Sequence, residues 1–98
     1  MKLPVSIQPE AIAEFNDAFD WYEDRRPGHG VVFAGQIQEA IDRIAEMPEA
    51  YEIVLDDIHR AVVHRFPYSI YFRVGAQQIV VLAIFHGKRD PLIWQSRV

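Results

Sequence analysis

Residues 65–86 read Arg65-Phe66-Pro67-Tyr68-Ser69-Ile70-Tyr71-Phe72-Arg73-Val74-Gly75-Ala76-Gln77-Gln78-Ile79-Val80-Val81-Leu82-Ala83-Ile84-Phe85-His86. Tyr68, Ile70, Phe72 and Val74 share one parity, and Ser69, Tyr71 and Arg73 share the other. Alternation of that kind marks a strand with one apolar face and one half-polar face. From Ile79 to Phe85 every position is apolar. Such a run is expected of a strand covered on both faces, hence central in its sheet. Gly75-Ala76-Gln77 is too short for a crossover, so the strands over about 68–74 and 78–86 pair antiparallel. Phe66-Pro67 breaks off a further antiparallel strand, expected over about 59–66.

Working towards the N-terminus, residues 49–58 are ambiguous: a loop, or a loop holding a short strand at Glu52–Leu55. The pair Asp56-Asp57 reads as a solvated turn, because a Mg²⁺ site needs further converging carboxylates. Before it, Phe33, Ile37, Ala40, Ile41, Ile44 and Met47 recur at helical spacing, and Pro48 stops that helix. An earlier stripe, Ile12, Phe15, Phe19 and Tyr22, predicts a helix opened by Pro9, with Glu10 and Glu14 near the positive end of its dipole. Arg25-Arg26-Pro27-Gly28-His29-Gly30 turns the chain, so the two helices form an antiparallel hairpin. Leu3 to Gln8 alternates as a short strand, which Pro4 either places at an edge or limits to pairing beyond Pro4. The expected architecture is α+β in the order β-α-α-β-β-β, one domain over residues 1–98, with the hairpin packed on a small, mainly antiparallel sheet.

Bulk properties narrow the function. A chain of 98 residues supports one modest core, burying roughly 60–70% of its unfolded surface. Cysteine is absent, which removes disulfides and thiolate metal sites and fits a reducing cytoplasm. No apolar h-region follows Met1-Lys2-Leu3-Pro4, and no run reaches the roughly 20 residues that span a bilayer, so neither a signal peptide nor a membrane partner is expected. The net charge of −4 is unevenly spread. Residues 1–58 carry four basic against 13 acidic side chains (−9), and residues 59–98 carry six basic against Asp90 alone (+5). A basic second half suits an anionic partner, unless the two halves neutralise each other within the fold.

Few residues form a chemical constellation. His59 and His64 fall on opposite parities, His29 lies in a distant turn, and no ligand spacing is present, so no metal is expected. His86 ends the central strand beside Lys88 and Arg89. Its plainer role is to hold the turn by a hydrogen bond, and its sharper one is acid–base work. Ser6, Ser69 and Ser96 lack a nucleophile elbow, and no Gly-rich phosphate loop occurs, so no nucleotide cofactor is expected. The cations Arg60, Arg65, Arg73, Lys88, Arg89 and Arg97 lie on or after neighbouring strands. With Tyr71 they can grip phosphates or stack on bases or peptides, or else pair with helix carboxylates. Trp94 is expected to pack back on the core.

Several segments together resemble the RelE/ParE superfamily of toxins from type II toxin–antitoxin operons, most of all its ParE branch. They are Trp21-Tyr22, Arg26-Pro27-Gly28, Phe33, Met47-Pro48, the run Arg65 to Phe72, and His86-x-x-Arg89-Asp90-Pro91-x-x-Trp94-x-x-Arg97. The resemblance implies a cytoplasmic toxin associated with plasmid stabilisation and growth arrest. It implies neutralisation by a cognate antitoxin whose C-terminal segment lies in the groove between helices and sheet, here assigned to Phe15, Phe19, Tyr22, Phe33 and Ile37. Operator DNA is then met only through the antitoxin. In the RelE-like branch a metal-independent endoribonuclease cleaves mRNA on the ribosome, which here would use Arg65, Tyr71, His86 and Arg89. That branch has an arginine after the middle-strand tyrosine, where this chain has Ser69 after Tyr68, and lysines near the 59–65 strand, where this chain has none between Lys2 and Lys88. The ParE-like alternative, contact inhibition of DNA gyrase, requires no catalytic group and is preferred. Its contact residues are assigned to Arg60, Arg73, Lys88, Arg89, Trp94 and Arg97. A relative that only binds an antitoxin is a third possibility.

Overall fold

A computed structural model describes residues 2–98. The elements run β1 (Val5–Ile7), α1 (Pro9–Arg25), α2 (His29–Glu46), a 3-10 turn (Pro48–Ala50), β2 (Ile53–Leu55), β3 (Ile58–Val62), β4 (Tyr68–Val74), β5 (Ile79–His86) and α3 (Leu92–Gln95). The five strands lie in the order β1-β5-β4-β3-β2, with β1 parallel to β5 and every other pair antiparallel. This is the expected α+β fold with two additions. The first is the short strand that residues 49–58 left open as an alternative, formed at Ile53–Leu55 and paired with β3 through the tight Asp56-Asp57 turn in which Asp56 adopts φ 49°. The second addition is α3, one helical turn in the basic C-terminal segment. The strand expected over 59–66 ends at Val62, and the remainder forms the turn into β4, with Arg65 at φ 72°.

The helical hairpin covers one face of the sheet. Phe33, Ile37, Ala40, Ile41 and Ile44 of α2 meet Ala61, Ile70, Phe72, Ile79, Val81 and Ile84 in the main core. On α1 the inward line is rotated from the expected stripe: Ala11 and Ala18 are buried, Phe15 and Tyr22 are partly so, and Ile12 is exposed. Two alanines let α1 approach the sheet closely, which turns Ile12 outward. Met47, placed last in the α2 stripe, is also exposed, because the helix ends at Glu46. The hairpin itself closes on Gly30, where an added Cβ would lie 2.8 Å from the Phe19 carbonyl oxygen.

Strand β5 contains the feature that positions everything after it. Tyr71 pairs with Ala83 but Phe72 pairs with Val81, so Leu82 is an extra residue in β5. Leu82 and Ala83 consequently face the same side. Past this bulge the parity reverses, a normal consequence of one inserted residue. Ile84 and His86 turn towards the helices, and Phe85 turns to the opposite face. On that opposite face α3 closes a second, smaller core of Ile58, Leu82, Ala83, Phe85 and Trp94. Trp94 stacks on Tyr71 at 4.0 Å between ring centroids.

The rotated α1 stripe gives a direct test. Ile12→Ser is expected to change stability by less than about 0.5 kcal/mol. Ala11→Leu, which overpacks the α1–sheet contact, is expected to cost about 1–3 kcal/mol. Urea denaturation of both variants measures the contrast.

Candidate functional site

Strand β1 pairs with only the first three residues of the eight-residue β5. Beyond Val81 the outer edge of β5 has no neighbouring strand, and a bare edge leaves peptide groups unmatched. Two charged side chains serve it instead. The Ile84 N–H donates to Glu14 Oε1 at 3.1 Å, and Arg97 Nη1 donates to the Leu82 carbonyl at 3.1 Å. The same two residues join each other. Arg97 Nη1 donates to Glu14 Oε1 and Arg97 Nη2 to Glu14 Oε2, both at 3.0 Å. Arg89 Nη1 adds a further bond to Glu14 Oε2 at 2.8 Å, with its guanidinium 4.4 Å from the Phe85 ring centroid. One carboxylate from α1 therefore holds β5 and both ends of the C-terminal segment. The Glu14 and Arg97 side chains are only 10% and 16% exposed, whereas Arg89 is 42% exposed.

The turn between β5 and α3 is built locally. The Lys88 N–H donates to His86 Nδ1 at 3.0 Å, and the Leu92 N–H donates to Asp90 Oδ1 at 3.0 Å. His86 thus holds the turn, as its plainer role required. Lys88 has no carboxylate partner among the described residues.

Beside this junction a groove of about 540 Å³ runs between α1 and the ends of β4 and β5. Its lining is Glu14, Asp17, Ala18, Trp21, Tyr22, Tyr68, Ile84, His86 and Arg89. Tyr68 packs edge-on against both Tyr22 and His86. Burial raises the pKa of Tyr68, with Tyr22 and Glu14 acting in the same direction against Arg89. Burial also raises Tyr22. Both phenols are accordingly neutral hydrogen-bonding groups at physiological pH.

The family follows from comparison. The profile described as "ParE toxin of type II toxin-antitoxin system, parDE" matches residues 5–91. The chain belongs to this ParE toxin family. A solved structure titled "Chromosomal ParDE TA system from P. aeruginosa" superposes with a TM-score of 0.77 at 18% identity, over 87% of this chain and 96% of that one. At that identity the superposition establishes a shared ParE-like fold. No curated protein matches.

The residues singled out from sequence separate into distinct places in this ParE-family chain. Phe33 and Ile37 are closed inside the main core, and Phe15 and Phe19 pack beside Phe33 or each other. Of the five residues assigned to the antitoxin groove, Tyr22 alone lines the cavity. The cavity wall comes instead from Trp21, Ala18, Tyr68 and Ile84. Trp21 carried a partial signal in sequence, standing beside Tyr22 of the apolar stripe in the Trp21-Tyr22 pair that the family resemblance includes. Among the cations, Arg60 pairs with Glu52 and Arg73 with Asp57, so much of the charge asymmetry between the halves is neutralised internally. Trp94 is buried beneath the sheet and Arg97 is turned inward. His86 and Arg89 meet in the groove, while Tyr71 lies on the opposite face under Trp94 and Arg65 sits in the β3–β4 turn. His59 is buried, stacks on Phe72, and bonds the Tyr51 carbonyl through Nδ1, which is a structural role. No cluster of three metal-ligating side chains occurs among the described residues.

Replacing Glu14 by Leu leaves two guanidiniums facing each other and orphans the Ile84 N–H, at an expected cost of about 3–5 kcal/mol. Arg97→Met leaves Glu14 with Arg89 and costs less, about 1–3 kcal/mol. Arg89→Gln removes a half-exposed partner and costs about 0–1 kcal/mol. Chemical denaturation checks that ranking. The tyrosines give a pH signature. Raised folded-state pKa values mean that the unfolded chain ionises first, so their contribution is intact below the ordinary value of 10.0 and is lost as pH rises through the folded values. Tyr68→Phe is expected to shrink this alkaline loss in urea midpoints measured across that range.

Proposed function

We propose that this chain is the toxin of a type II toxin–antitoxin module, acts in the cytoplasm by contact with DNA gyrase, and is neutralised by an antitoxin segment seated in the α1–sheet groove. Membership of the ParE family carries the toxin assignment. The groove supports the antitoxin reading, because Trp21, Tyr22, Tyr68, Ala18 and Ile84 offer the apolar anchorage that helix-in-groove or extended-peptide recognition uses.

The layout favours contact over catalysis. Metal-free cleavage of RNA needs a base, an acid and a phosphate-binding cation around one atom. Of the candidate nuclease residues, His86 and Arg89 share the groove, but Tyr71 is stacked beneath Trp94 on the other side of the sheet. The C-terminal segment by contrast suits protein contact. Lys88 is unpaired among the described residues, and Leu92 and Ile93 are exposed on the outside of α3, Leu92 at 66%. An exposed apolar pair next to a cation is a common composition for an interface. Lys88, Arg89, Leu92 and Ile93 form the proposed target surface.

Two assays run side by side test this. The purified protein is expected to inhibit supercoiling by gyrase and to leave ribosome-programmed mRNA uncut. Arg89→Ala and Leu92→Asp are each expected to relieve growth arrest on expression. Message cleavage with unimpaired gyrase would replace the proposal by the nuclease alternative. Absence of both activities would leave an antitoxin-binding relative.

A further inference from the structure

The groove is not electrically uniform. Asp17 stands on its helical wall, and the strand end presents His86 and Arg89 with Lys88 adjoining. Glu14 lines the same cavity, but its charge is already met by Arg97 through two bonds with both side chains largely buried. Two guanidiniums on one carboxylate leave a net positive charge. Arg89 carries that surplus, since it makes a single bond to Glu14 and is the more exposed partner. A guanidinium offers five N–H donors, so most of those on Arg89 are unassigned within the chain. His86 accepts the Lys88 N–H at Nδ1, so in the neutral ring the proton sits on Nε2. That ring lines the same cavity as Arg89 and the neutral Tyr68.

We propose that this end of the groove is a carboxylate-binding subsite, in which Arg89, assisted by His86 and Lys88, receives an Asp or Glu side chain of the polypeptide that fills the groove. The inference rests on the groove being a peptide-binding surface and adds the chemistry that its occupant must carry. Arg97 keeps Glu14 neutralised, so Arg89 swings to the incoming carboxylate without leaving a bare buried charge behind. A planar guanidinium suits the bidentate geometry of a carboxylate. Nucleic acid fits this subsite less well. A strand of repeating phosphates would pass Asp17 and Glu14 in the same cavity, whereas a peptide can place one carboxylate at Arg89 and apolar residues over Trp21, Ala18 and Ile84. An occupant bound in this way also withdraws Arg89 from the proposed target surface, so neutralisation and inhibition compete for one side chain.

The test uses the purified full chain and a pair of short probes, the peptide acetyl-Leu-Leu-Glu-Leu-amide and its Gln twin, followed by NMR at the Arg89 guanidinium and His86 ring resonances. The Glu peptide is expected to shift both sets and to bind at least about tenfold more tightly than the Gln twin, the scale of one charge-assisted hydrogen bond. Arg89→Gln is expected to abolish that difference while the apolar shifts at Trp21 remain, which also shows that the variant is folded. Lys88→Gln, at an unpaired position, is expected to reduce it. Equal binding of the two peptides, or a response to a short oligoribonucleotide stronger than to the Glu peptide, overturns the proposal. The readout needs neither gyrase nor an antitoxin. A failed supercoiling assay therefore leaves the subsite standing, and a failed titration leaves the toxin assignment standing.

Discussion

The Glu14 carboxylate is the joint on which the other parts depend. It reaches from the first third of α1 to the uncovered edge of β5, meets a main-chain N–H there, and holds Arg89 and Arg97 from opposite ends of the C-terminal segment. Magnitudes separate this contact from the chain's other ion pairs. Exposed pairs such as Arg43–Glu39 contribute about 0–1 kcal/mol. Hydrogen bonds to charged groups contribute about 1.5–3 kcal/mol each, and removing the largely buried carboxylate that two guanidiniums share costs more. Because the Glu14–Arg97 bonds lie between α1 and α3, across the β5 edge, they fix the C-terminal segment relative to the helices.

A short first strand creates the need for that joint. With only Val5–Ile7 beside an eight-residue β5, the sheet would present an open edge. Charged side chains blunt it: Arg97 occupies the carbonyl of the bulge residue Leu82, and Glu14 occupies the next available N–H. The bulge supplies the second half of the design. Reversing parity after Leu82 sends His86 into the groove and leaves Phe85 to support α3 from below. Without that extra residue His86 and Phe85 would exchange faces, and both the groove mouth and the seat of Trp94 would disappear.

This geometry explains what the sequence reveals and what it hides. The β4 alternation, the α2 stripe and the short connections identify the meander and the hairpin, because periodicity and loop length determine them. The bulge is invisible, since residues 79–85 are apolar at every position and parity has no mark to reverse. The α1 rotation is hidden for a related reason: Ala11 and Ala18 are small enough to bury closely but too weakly apolar to outbid Ile12 in a pattern. Glu14 looks like an acid near the positive end of the helix dipole, and only the arrival of residues 84, 89 and 97 shows its longer reach. The candidate site was legible as a cationic segment, not as a groove with opposed charges, because the pairing of basic residues with particular acids is a tertiary fact.

Glu14 binds the β5 edge and the C-terminal segment into one unit. Amide hydrogen exchange at Ile84, compared between the wild type and Glu14→Leu, which has no acceptor for that N–H, measures it most directly. The wild-type Ile84 amide is expected to be protected on the scale of Ile70 and Phe72, and the variant to lose protection at Ile84 and through residues 92–97 while Ile70 and Phe72 remain the better protected. An Ile84 amide that exchanges at the same rate in both proteins would contradict it.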